Sequence, residues 1–147
     1  MSAVRYFVDT NLLLYGLDED APLKATRAVD WLNYLWHTDA ARVSWQVLHE
    51  FYWNATRKMG VPVEHTRNLV RSMIQWKPLE ADAELIERGW HWIDAAQITY
   101  WDSMIVAAAE RLSCDVLLSE DFQSGRTYGV VRAVNPFKES PPPLSVH

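Results

Sequence analysis

Four carboxylates in this 147-residue chain stand where they could do chemistry: Asp9, Glu50, Asp102 and Asp121. Asp9 ends the apolar run Tyr6-Phe7-Val8 and is followed at once by Thr10 and Asn11. Asp121 comes just after Val116-Leu117-Leu118, behind Ser119 and Glu120. Open parallel sheets place their binding groups beyond the carboxyl ends of the strands, so Asp9 and Asp121 can meet at one edge. Glu50 falls in the second turn of a helix expected over residues 46–59. Asp102 falls in the first turn of another, expected over 99–112. Helices that follow strands begin at that same edge, so four acids from four distant segments can converge on one crevice. Unpaired negative charges so placed repel one another unless a cation joins them. The set contains no Cys and no His, and an oxygen-only site selects Mg2+ or Mn2+ over Zn2+.

Each acid also has a plain structural reading. Asp9 and Asn11 can cap a helix. Asp102 lies three residues after Thr99, the spacing of a capping box. Glu50 can be an ordinary solvated charge, although Gln46, Glu50, Asn54 and Arg57 form a polar stripe opposite Val47, Phe51 and Ala55. Glu120 and Asp121 can be loop residues. His49 lies about 100° from Glu50 around the helix and reads as structural. The joint pattern, not any one residue, points to a metal site.

The elements that must position these acids are read from apolar periodicity and punctuation. Short strands are expected over 4–8, 42–44, 116–118 and 130–134. A helical turn is expected over 12–15, and helices over 22–37, 46–59, 64–76, 82–95 and 99–112. Pro22 suits a helix start, Gly60 and Pro62 end the 46–59 helix, and Pro78 stops the 64–76 helix. Gly89 weakens the 82–95 helix. Residues 104–109 are apolar on every side, which predicts a buried helix. Strands alternating with helices predict an α/β domain with a parallel sheet covered on both faces.

Composition sets the outer bounds. Length argues for one domain, and 49% hydrophobic residues can fill its core. No apolar run is long enough for a membrane span, and no secretory signal is expected. The single Cys114 permits no internal disulfide, which fits a cytoplasmic setting. A net charge of −5 provides no broad basic surface for tight non-specific nucleic-acid binding.

The segments "YFVDTNLLLY", "VSWQVLHEFYWNATRK", "TYWDSMIVAAAERLSCDVLLSEDFQSG" and "VVRAVNPF" together resemble the PIN domain, most of all the toxin ribonucleases of the VapC type. The likeness spans residues 4–137, giving a nuclease domain over 1–137 and a Pro-rich tail over 138–147. It implies a three-layer α/β/α sandwich with a central parallel sheet. It also implies a Mg2+-dependent endoribonuclease, with Mn2+ a possible substitute, kept inactive by a cognate antitoxin. Carried over residue by residue, it makes Asp9, Glu50, Asp102 and Asp121 the catalytic and metal-binding acids. Ser119 is the hydroxyl partner in the motif ending at Asp121, Glu120 is its middle residue and not a primary ligand, and Thr10 and Asn11 are the polar residues that orient Asp9 or its waters. No acid of the pattern is missing. The implied reaction is in-line attack by metal-activated water on an RNA phosphodiester, leaving a 5′-phosphate and a 3′-hydroxyl.

RNA must reach an acidic crevice, so local cations matter. Arg126, after Gly125 and near Asp121, is the candidate phosphate contact; Arg57-Lys58, Arg67 and Arg71 read as solvated charges. Trp31 and Trp36 point to different sides of the 22–37 helix, so part of it is expected to form an exposed apolar patch. A homodimer with an antitoxin segment in a nearby groove is expected. A haloacid-dehalogenase-type phosphatase would need a second aspartate where this chain has Asn11. A non-catalytic PIN-like module binding RNA or protein is the alternative in which the acids serve fold and contacts alone.

Overall fold

The computed structural model describes residues 3–144, so residues 145–147 of the tail lie outside it. Its elements run β1 Tyr6–Val8, α1 Thr10–Tyr15, α2 Pro22–Thr38, β2 Ala41–Arg42, α3 Trp45–Arg57, α4 Val63–Met73, α5 Ala83–Ala96, α6 Tyr100–Arg111, β3 Val116–Leu118, β4 Thr127–Tyr128 and β5 Val131–Val134. A 3-10 turn, Ile74–Trp76, extends α4. The helices expected from periodicity are all present, with ends within a few residues of expectation.

The sheet order is β2-β1-β3-β5-β4. β2, β1, β3 and β5 run parallel to one another, whereas β4 runs antiparallel to β5. The sheet is therefore mixed and mostly parallel, flanked by helices. β4 was not expected. It is two residues long and is joined to β5 through Gly129 at φ +62, a left-handed turn that glycine adopts without steric cost. β2 lies one or two residues earlier than expected, and Ser44 instead makes an isolated parallel bridge to Leu79.

The central strands read as continuous apolar runs because both faces are covered. Phe7, Val8, Leu117 and Leu118 are fully buried. Each such side chain contributes about 1.5–3 kcal/mol of hydrophobic stabilisation. Val47, Phe51 and Ala55 turn the inner face of α3 into the core, and residues Ser103 to Ala109 of α6 are all buried. Gly89 has a packing reason: a Cβ there would stand 2.7 Å from Met104 Sδ and 3.2 Å from Ser103 Oγ, so glycine lets α5 lie close against α6. On α2, Trp31 is buried against Tyr6 and Tyr34 while Trp36 is 48% exposed. The segment after β5 is fastened to α2, because Trp31 Nε1 donates to the carbonyls of Pro136 and Glu139.

Candidate active site

Register builds the site. Val8 pairs with Leu118 at the carboxyl ends of β1 and β3, and the Asp9 N–H donates to the Leu118 carbonyl. The next residues, Asp9 and Ser119, are thereby held side by side. Asp9 is the N-cap of α1, and its Oδ1 accepts from the Thr10 N–H at 2.8 Å. Its Oδ2 accepts from Ser119 Oγ at 2.7 Å and lies 3.5 Å from Asn11 Nδ2. Asp9 is thus a cap and a member of a polar cluster at once.

Asn11 and Thr10 extend the cluster to two further acids. Asn11 Nδ2 donates to Ser119 Oγ at 3.0 Å and to Asp121 Oδ2 at 3.2 Å, while the Glu120 N–H donates to Asn11 Oδ1. That last bond sets which end of the amide faces the carboxylates. Ser119 Oγ also accepts from the Asp121 N–H. Thr10 Oγ1 donates to Glu50 Oε2 at 2.9 Å, joining α1 to α3. Gln46 Nε2, one turn before Glu50, donates to Glu50 Oε1 at 2.9 Å and to the Trp101 carbonyl at 3.3 Å. The same amide therefore ties α3 to the start of α6.

Asp102 stands in the first turn of α6, where Thr99 is the N-cap and its Oγ1 accepts from the Asp102 N–H. The electrostatics place Asp102 in the field of the others. Partial burial raises its pKa, and the negative charges of Asp121 and Glu50 add to the rise. Asp9 is pushed up to about 7, chiefly by burial, with Asp121 and Glu50 contributing and the bonds from Ser119 and Thr10 opposing.

All the donors are oxygen. Among the described residues, however, no three His, Cys, Asp or Glu side chains form a group ready to hold a metal ion. Hydrogen bonds through Thr10, Asn11 and Ser119 link Asp9, Glu50 and Asp121, whereas no hydrogen bond joins the Asp102 side chain to them. The Glu120 side chain pairs with Lys24 at 2.7 Å. Arg126 donates to the Ala96 carbonyl at the end of α5 and lies over the Tyr128 ring, 4.9 Å from its centroid. Arg67 pairs with Glu64, and Arg57 lies over Trp53.

Gln46 and Lys24 were not foreseen as partners of the acids. The i, i+4 spacing of Gln46 and Glu50 was a readable signal. The Lys24–Glu120 pair bridges 96 residues and left none.

The model of the PIN domain matches residues 6–129, from the first residue of β1 to the turn after β4. No curated protein matches the chain. The matched span carries the whole carboxylate cluster and covers most of the chain, which therefore belongs to the PIN domain family, whose members are typically nucleases.

Proposed function

We propose that the chain is a Mg2+-dependent endoribonuclease that hydrolyses RNA phosphodiester bonds, with Mn2+ as a substitute ion, and that it is the toxin of a toxin–antitoxin pair. The observation that carries this reading is the hydrogen-bonded cluster at the carboxyl ends of β1 and β3, in which Thr10, Asn11 and Ser119 join Asp9, Glu50 and Asp121. PIN-domain nucleases generally use divalent metals. The donor chemistry fits such an ion, because the oxygen-only set includes a buried carboxyl whose pKa is raised partly by its acidic neighbours. Asp9, Glu50, Asp102 and Asp121 are the residues that would hold it. A bound ion would ease deprotonation of a water and offset charge on the phosphoryl oxygens. Thr10 and Gln46 fix the Glu50 carboxylate from both oxygens, and Ser119 and Asn11 orient Asp9 and Asp121. Arg126 is the proposed phosphate contact, through guanidinium N–H groups not engaged by Ala96.

The partner reading rests on an apolar groove of about 380 Å³ between α1, α2, α3 and α4, lined by Leu13, Leu17, Leu32, Trp36, Phe51 and Trp76. It is the proposed seat of an antitoxin segment, and a homodimer is proposed as the assembly. Among the described residues no helix is long and apolar enough to cross a membrane, and the proposed setting is the cytoplasm. The alternative, a non-catalytic PIN-like module binding RNA or protein, is favoured by one observation: among the described residues no three acids stand gathered for a metal. Brief induction in a host, with sequencing of RNA 5′ ends, tests the proposal. Discrete new 5′-phosphate ends that vanish with Asp9→Asn support it. An unchanged end profile supports the binding module.

A further inference from the structure

We infer that the cleft between α3 and the start of α6 is a stacking site for an unpaired nucleobase of the nucleic-acid substrate, adjoining the carboxylate cluster. The inference rests on the nuclease reading above and adds a base-binding subsite to it. The cleft has a volume of about 660 Å³, and Glu50 and Gln46 belong to both the cleft and the cluster. Trp45 and His49 stand on one side, at successive turns of α3, with ring centroids 6.3 Å apart. Tyr100 and Trp101 stand on the other, and Trp101 is 63% exposed. Leu79, Leu85 and Ile86 make the rest largely apolar, and no Lys or Arg lines it. Such a lining suits the flat face of a base, which stacks on aromatic rings whatever its sequence, and does not suit a phosphate.

Ser44 supplies the second observation. It lines the cleft, is 5% exposed, and its Oγ is the one buried side-chain polar atom among the described residues without a hydrogen-bond partner. A ligand with both an apolar face and a hydrogen-bonding edge matches that combination, and a nucleobase has both. The α3 stripe continues away from the cleft as Trp53 and Arg57, with the guanidinium 4.8 Å from the Trp53 ring centroid. Residues four apart rise about 6 Å along a helix. The row therefore offers neighbouring nucleotides a second aromatic surface and a cation farther along α3.

The test is fluorescence anisotropy of a labelled eight-nucleotide single-stranded RNA with the full chain in EDTA, at one fixed salt concentration. Trp101→Ala should weaken binding roughly 5- to 150-fold, the range for one base–aromatic stack, and Trp101→Phe should restore most of it. The same RNA as a duplex should show no dependence on residue 101. Light scattering of each variant supplies the control for assembly. Unchanged affinity of Trp101→Ala, or absence of binding by the unsubstituted chain, overturns the inference. A loss of affinity that accompanies a changed oligomeric state also overturns it and makes the cleft a face between copies of the chain. Because EDTA separates binding from cleavage, a stacking result without Mg2+-dependent cleavage refutes the nuclease reading alone. Cleavage without dependence of binding on Trp101 refutes the cleft alone.

Discussion

Replacing Asp9 by Asn should stabilise the metal-free protein more at pH 8 than at pH 5. Asp9 is 5% exposed and its pKa lies near 7 instead of its ordinary 3.8. A carboxyl whose folded pKa is raised binds more protons in the native state, so its contribution favours folding at low pH. That contribution is complete below about 3.8 and is lost as pH rises through about 7. At about 1.4 kcal/mol per pKa unit, the raised pKa of Asp9 opposes folding by about 4 kcal/mol at pH 8 and by about 2 kcal/mol at pH 5. The advantage of Asn over Asp should therefore grow by about 2–3 kcal/mol between the two pH values. Asn also carries a fixed cost. Its amide replaces Oδ2, which accepts from Ser119 Oγ and faces Asn11 Nδ2, and Ser119 Oγ already accepts from two other donors. That donor conflict does not titrate, so it shifts both pH values equally and drops out of the difference. Thermal melts of both proteins in EDTA read the effect as a change in relative Tm of roughly 5–10 °C between pH 5 and pH 8. A difference that is flat with pH, or that falls as pH rises, would refute the claim that buried negative charge strains this site.

Thr10→Val keeps the shape of a residue that is 6% exposed but removes the 2.9 Å bond to Glu50. Initial rates with Mg2+ should fall about 10- to 100-fold, as when the hydrogen-bond partner of a metal ligand is lost, with circular dichroism unchanged. Gly129→Ala puts a side chain at φ +62 in the β4–β5 turn and should cost about 1–2 kcal/mol in urea unfolding, with cleavage per folded molecule unaffected.

The strand–helix order was legible because it is local. Tyr6-Phe7-Val8 and Val116-Leu117-Leu118 announce buried parallel strands, and the polar residues just beyond each strand, at the carboxyl edge, are visible by position alone. Asp102 behind Thr99 was readable as a cap, and that bond is present. The features that resisted reading depend on contacts far apart in the chain. Thr10 reaches Glu50 across 40 residues, and Lys24 pairs with Glu120 across 96 residues. β4 escaped because two residues carry no periodicity, and its pairing depends on Gly129 turning the chain back. Arg126 stood out as a cation near Asp121, yet its guanidinium caps the end of α5 at Ala96, a contact that only the packed fold creates.

The proposed reaction is cleavage of RNA at this carboxylate cluster with the help of a divalent ion. Its most direct test incubates the purified chain, and Asp121→Asn beside it, with a mixed pool of single-stranded RNA in Mg2+, in Mn2+ or in EDTA. Endonucleolytic products with 5′-phosphate ends are expected from the unsubstituted chain in Mg2+ or Mn2+, and none in EDTA or from the variant. Equal cleavage in EDTA, equal cleavage by Asp121→Asn, or no cleavage with either ion would contradict it.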